Sequence, residues 1–245
     1  MDETGMTPLR RAALNNAAWC GAVCRAHGLA PQYDGRGLWF SARRTPPSYP
    51  DAVTLEPGVP ARSVVRGVDT GSPGCSVKDS FADLDLAGEG FEVLFEAQWI
   101  HRPAGAPLPK ANAGRLAWSE VSGAGELAAW EAAFDGEVSP EGDALFRPAL
   151  LGGGTVFLAG RAGGRIVAGA VLSTGGGVVG VSNLFGGDAA WAGVLDAAAA
   201  RWPEGDMVGY EHGEDLEAAV RSGFTAIGPL RVWLRTSDEP RLLAD

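Results

Sequence analysis

The sequence predicts an α/β fold with a mixed sheet, in which antiparallel strands and helical crossovers alternate. Three observations carry that expectation. With 46% hydrophobic and 20% charged residues over 245 positions, the chain has material for a core and too little charge for disorder. From residue 115 onward, strand-like and helix-like stretches follow one another as β-α-β-β-β-α-β-α-β-β, a meander combined with crossovers. Between residues 102 and 114 the run RPAGAPLPKANAG can continue neither a helix nor a central strand. It separates a smaller N-terminal α/β lobe, residues 1–105, from a second region, residues 115–236.

In the first lobe, residues 12–27 carry Leu14, Ala18, Val23 and Ala26 on one side with Trp19, and Gly28 stops the helix. Leu38–Ser41 and Ala52–Leu55 read as short strands around a proline turn, and Ala61–Gly67 as a helix. Phe81–Leu86 alternates apolar and acidic residues and reads as a strand. Phe91–Ile100 is a stronger one, with Phe91, Val93 and Phe95 on one face.

In the second region Leu116–Val121 is a strand and Glu126–Phe134 a helix that can resume, after a break, as far as Leu145. Thr155–Ala159 and Ile166–Leu172 form a hairpin about Gly163-Gly164. Val178–Phe185 follows, then an alanine-rich helix, Ala189–Trp202, with Asp188 as its expected N-cap. Met207–Glu211 is a strand and Asp215–Ser222 a helix closed at Gly223. Phe224–Ile227 and Leu230–Leu234 read as two final strands.

The net charge of -10 repels phosphate backbones and anionic lipid heads, so neither nucleic acid nor a membrane surface is an expected partner. The opening MDETGMTPLRR has acids before its first base and no apolar run behind it, and no stretch of about 18 apolar residues follows. A cytoplasmic protein is the expectation. Cys20, Cys24 and His27 fall together on the first helix, but three residues on one helix rarely complete a tetrahedral shell, and no metal site is expected. No nucleophile elbow, phosphate loop or His-Glu-x-x-His occurs.

The region from about 115 to 236 resembles the GNAT superfamily of N-acetyltransferases. The resemblance rests on the element order and on the end of the region: a short helix, Gly223-Phe224, then Gly228-Pro229-Leu230 and Arg231-Val232-Trp233. It implies acetyl-CoA as cofactor, bound by backbone groups of the fourth strand and the following loop, with the pyrophosphate at a helix N-terminus. The residues at that position are Ser182, Asn183, Leu184, Phe185, Gly186, Gly187 and Asp188. The resemblance further implies a small-molecule amine acceptor in a cleft where the fourth and fifth strands part.

Two departures stand out. The usual loop reads Gln/Arg-x-x-Gly-x-Gly/Ala, whereas this one has no Arg or Lys and ends on Asp188. The tyrosine often found four residues before the glycine of the Gly-Phe pair is replaced by Ala219. Glu211, Tyr210 and His212, at the end of the fifth strand, are then the candidate catalytic groups, with Glu211 favoured as base. Aromatic landmarks in the first lobe (Trp19, Gly90-Phe91 and Trp99-Ile100) echo Trp130, Gly223-Phe224 and Trp233-Leu234, as a degenerate tandem half would. Three readings stay open: an acyl-CoA-dependent N-acyltransferase, a GNAT-like binding module, and an enzyme that uses the cleft without CoA.

Overall fold

Thr7 opens the first helix. Its side chain accepts the Arg10 N–H at 3.3 Å and Pro8 fills the first turn, so α1 runs Pro8–Ala26, one turn earlier than the apolar periodicity indicated. In this computed structural model, which describes residues 5–109, 116–137 and 143–236, the elements that follow are β1 (Gln32–Tyr33), β2 (Leu38–Phe40), β3 (Ala52–Thr54), α2 (Ala61–Gly67), β4 (Ser76–Asp79) and β5 (Phe91–Arg102). Then come β6 (Ala117–Glu120), α3 (Ala124–Asp135), β7 (Thr155–Ala162), β8 (Arg165–Gly175) and β9 (Val178–Phe185). The chain continues with α4 (Asp188–Arg201), β10 (Met207–Glu211), α5 (Gly213–Arg221) and β11 (Thr225–Arg235).

The contacts gather into two units, and the division differs from one at the Pro/Gly-rich run. One unit comprises residues 1–28 and 97–228, the other residues 29–96 and 229–245. The reason is burial at long sequence separation. Helix α1 packs on β8, β9 and β10, and Asn15 Nδ2 donates to the carbonyls of Ser173 (3.0 Å) and Gly175 (3.3 Å).

In the first unit the strand order is β5-β10-β9-β8-β7-β6, antiparallel throughout except for the parallel β10–β9 pair. Two-residue turns close both hairpins: Gly163-Gly164 and Gly176-Gly177 all have positive φ, the type I′ requirement that only glycine meets freely. One face of this sheet carries α4 and α5 over Val156, Leu158, Ala170, Leu172, Val181 and Met207. The other carries α1 and α3. There Trp130 meets Phe157, Phe146 and Phe185 edge-on, and its Nε1–H donates to the Leu158 carbonyl at 2.7 Å.

The second unit orders its strands β1-β2-β3-β4-β11, with β3–β4 parallel. Its core joins Leu38, Val64, Val77, Leu86, Phe91 and Trp233. Fully buried Asp51 ties it together by accepting from Thr45 N–H (3.0 Å), Thr45 Oγ1–H (3.2 Å), Ser76 N–H (2.9 Å) and the Arg44 guanidinium.

Several expectations are corrected. Phe81–Leu86 is a turn: the Asp79 carboxylate gathers the amides of Phe81, Asp83 and Leu84, and the strand is β4 just before it. Burial pushes the Asp79 carboxyl above the usual range although those amides pull it down. On β5 Val93 is 44% exposed while Phe91 is buried, so the two do not share a buried face. The last two strands are one, β11, running through Gly228-Pro229; its pairing with β4 starts at Arg231, beyond the residue that lacks an N–H. Leu145 is not helical; the buried Glu131 carboxylate holds the amides of Leu145 (2.8 Å) and Phe146 (2.9 Å), and residues 138–142 lie outside the described residues. Asp188 is the first residue of α4, and the N-cap is Gly187.

Candidate functional site

The parallel pairing of β9 with β10 covers only Val179 with Met207 and Gly180 with Val208. Past that point the strands part. At the fork a Cβ on Gly209 would come within 3.0 Å of the Val181 carbonyl, so a side chain there would force the fork wider. On its other edge β9 pairs with β8, and between Ser182 (opposite Val171) and Phe185 (opposite Gly169) it holds one residue too many. That bulge centres on Asn183, whose φ is 50°, a conformation that asparagine tolerates better than most residues. The extra residue resets the side-chain alternation. Ser182 and Phe185 face α1 and α3, while Val181 and Leu184 face α4 and α5. The residues expected in a cofactor loop are therefore mostly strand: Ser182–Phe185 belong to β9, and the turn is only Gly186-Gly187.

Both glycines are needed. Gly186 has φ 100°, and a Cβ on it would lie 2.4 Å from the Cβ of Ala168. Gly187, at φ 65° and ψ -155°, occupies a region that essentially only glycine enters, and a Cβ there would point into open space. No side chain caps α4; the Ala190 N–H is taken by the Gly187 carbonyl at 2.9 Å, and the positive dipole end with the Asp188 and Ala189 amides lies beside Gly187. The negative charge of Asp188 is met by a cation that the local sequence did not reveal. Arg221, 33 residues on in the last turn of α5, donates from one nitrogen to both Asp188 oxygens at 3.0 Å. The pair is exposed, which limits its strength.

At the end of β10 alternation separates the candidates. Tyr210 faces α1 and meets Trp99 of β5 edge-on, with centroids 5.6 Å apart. Glu211 points to the opposite face, half-buried and close to Asp215 in the first turn of α5. Burial first, and the Asp215 charge second, push its carboxyl up to about 7. His212 is the exposed N-cap of α5, and its side chain caps nothing there. Ala219 is fully buried in the core beneath α4, so no side-chain proton donor stands at that position.

On the α1 side of the fork a crevice has room for about 10 Å³, a single water-sized group. Asn16, Trp19, Trp99, Ser173, Ser182 and Tyr210 line it among others. The Ser182 hydroxyl is buried there with no hydrogen-bond partner. A larger cavity, about 240 Å³, lies at the other end of β10, between the C-terminal part of α4 and the loop after β5. Leu108, Leu195, Trp202 and Met207 border it. Beside it Asp206 takes the Ala104 N–H at 2.9 Å and faces His101 Nε2 at 3.0 Å; burial opposes its ionisation, but these bonds hold its carboxyl below the usual range. Among the described residues no group of three or more His, Cys, Asp or Glu is arranged to hold a metal ion, and no helix is long and apolar enough to cross a membrane.

No protein-family model and no curated protein sequence matches the chain. Solved structures do. A GCN5-related N-acetyltransferase from Kribbella flavida aligns with a TM-score of 0.58 and 17% identity, covering 91% of this chain and 95% of its own. A Novosphingobium aromaticivorans protein assigned to the GNAT family of acetyltransferases aligns with a TM-score of 0.56 and 15% identity, over 92% of this chain and 99% of its own. A tandem GNAT protein from the clavulanic acid biosynthesis pathway aligns with a TM-score of 0.52 and 14% identity, over 95% and 96%. At these identities the likeness is one of fold: the chain has the mixed α/β fold of GNAT N-acetyltransferases.

Proposed function

We propose that this protein is an acyl-CoA-dependent N-acyltransferase that acts on a small-molecule amine at the fork between β9 and β10. The observation that carries the reading is a carboxyl raised to about 7, Glu211, at the lip of that fork. A group with a pKa near the working pH is the best compromise between being ionised and being basic enough to take a proton.

The residues present fit acyl-CoA. The uncapped start of α4 offers amides to a pyrophosphate, the absence of a Cβ at Gly187 lets the phosphate approach, and Arg221 offsets Asp188. The bulged edge of β9, Ser182–Phe185, offers backbone groups that β10 does not use. When bound, acyl-CoA supplies an acyl thioester whose C–S bond breaks as the C–N bond forms, the sulfur gaining a proton. Glu211 takes the proton from the amine nitrogen, Tyr210 orients the acceptor, and His212 stands at the solvent-exposed margin. Like the tandem protein it resembles, the chain is read as two GNAT-like halves, the first degenerate.

Calorimetry with acetyl-CoA, followed by release of free thiol in the presence of amines, tests the reading. Measurable binding and amine-dependent thiol release are expected. No binding at millimolar acetyl-CoA would overturn it in favour of a GNAT-like module that binds a metabolite or partner, or an enzyme that works without CoA. Buried Ala219 favours those readings, because nothing there protonates a leaving group.

A further inference from the structure

We infer that the cavity at the start of β10 is a binding site for a small organic monoanion, a carboxylate on a compact apolar body. This is a different place from the lip of the fork: Met207 opens β10 and Glu211 closes it, about 13 Å apart at the usual strand rise. Filling it requires neither acyl-CoA nor an amine. The cavity holds about 240 Å³ between α4 and the loop after β5, and its walls are mostly carbon, with Leu108, Val179, Leu195, Trp202 and Met207 among them. Among the described residues that line it, Arg102 alone carries a charge.

Arg102 is only 5% exposed, and its hydrogen bonds all run to carbonyl oxygens. Nη2 donates to Ala106 and Pro107, both at 2.9 Å, and Nε to Ser222 at 3.4 Å. These contacts shape the loop, but they use three of the five N–H groups and bring no negative charge. Among the described residues Nη1 has no partner, and no carboxylate pairs with the guanidinium. Burial pulls its pKa down with nothing to offset it. A buried cation without a counter-charge is costly, and a carboxylate accepting from Nη1 removes that cost. Size and charge narrow the ligand further. The space falls short of the roughly 300–1,000 Å³ of drug-sized sites, so it suits a single ring with its acid group. Asp206, beside the cavity, keeps its own charge through the Ala104 N–H and His101, so a dianion meets repulsion there.

Benzoate is the probe, with benzamide as its neutral match and terephthalate as its dianion. In calorimetry without acetyl-CoA, benzoate should bind with a Kd of about 0.1–1 mM, and benzamide and terephthalate at least about tenfold more weakly. Arg102→Gln should weaken benzoate at least about tenfold and leave benzamide where it was, a difference that a loosened loop would not produce. Should that variant fail to fold, Ala199→Phe decides. It fills the cavity from an exposed position on α4, and should abolish benzoate binding while the urea unfolding midpoint holds. In ¹⁵N-labelled protein the Trp202 indole resonance, assigned through Trp202→Phe, should shift with benzoate, and that of Trp99, beside the fork, should stay in place. Equal affinity for benzoate and benzamide would overturn the inference, as would binding undiminished in Ala199→Phe or no binding at about 20 mM benzoate. Acetyl-CoA is absent from every arm, so these outcomes leave the acyl-transfer reading untouched; that reading stands or falls on thiol release.

Discussion

Replacing Glu211 by Gln should slow the proposed acyl transfer and stabilise the protein, and both effects follow from one property. Burial, with Asp215 nearby, raises the carboxyl from 4.5 to about 7. The folded protein therefore holds a proton there that the unfolded chain releases at lower pH. Stability from this group is fully present below about pH 4.5 and is lost as the pH rises to about 7. At about 1.4 kcal/mol per pH unit, the loss amounts to about 3 kcal/mol. Glutamine cannot ionise, so the variant should escape it. Urea unfolding of both proteins at pH 5 and pH 8 isolates the effect, since the other titrating groups are shared. The wild type should lose about 3 kcal/mol more than the variant between those values. Turnover should meanwhile fall about 10²–10⁴-fold, the usual worth of a general base, with Tyr210→Phe costing much less. Equal pH dependence of stability in the two proteins would refute the burial argument, and undiminished turnover across the pH range would refute the role.

Three further outcomes are expected. Gly187→Asp adds bulk and charge at a backbone conformation that only glycine enters, so it should abolish the heat of acetyl-CoA binding; Arg221→Ala should weaken that binding several-fold by leaving Asp188 unopposed, and Asp188→Ala should restore it. Gly180→Ala would put a Cβ 1.9 Å from Asn15 Oδ1 and should cost about 1–3 kcal/mol in urea unfolding, most of it absent when Asn15 is already Ala, whereas strict additivity would argue against the clash. Asp51→Ala removes the acceptor shared by Thr45, Ser76 and Arg44 and should cost about 3–5 kcal/mol, read from the same unfolding curves; a loss below about 1 kcal/mol would mean that water replaces the carboxylate.

What the sequence disclosed was local. The glycine pair at 163–164 needs positive φ at both residues, and it gave the hairpin; Ala61–Gly67 matches α2 at both ends. The parallel pairing of β9 with β10 was legible as an element order, because a helical crossover joins them, whereas their parting was implied only by the GNAT resemblance. The features that were misread depend on partners far along the chain. Strand β4 has four residues, a lysine and an aspartate among them, and is recognisable only once β3 and β11 flank it. The acidic alternation of Phe81–Leu86 looked like a strand, but Asp79 winds its amides into a turn. Arg221 is 33 residues from Asp188, so no local pattern places a cation beside the glycine pair. Asn183 did carry a signal: an asparagine within an apolar strand just ahead of Gly-Gly is a residue suited to positive φ.

The bulge at Asn183 connects these observations into one account of the site. Without it, Ser182 and Leu184 would share a face, and so would Val181 and Asn183. With it, Ser182 is turned into the crevice lined by Tyr210, while Leu184 joins the core beneath α4. Phe185, one residue on, reaches Trp130 because Gly169 on β8 has no side chain; a Cβ there would lie 2.5 Å from both rings. This anchor fixes the end of β9 in the aromatic cluster, on the face opposite α4 and α5. On β10 Tyr210 and Glu211 are held on opposite faces by alternation, so a phenol borders the fork on one side and a carboxylate on the other. One extra residue in β9 thus sets which face the Ser182 hydroxyl occupies and how the strand end is anchored.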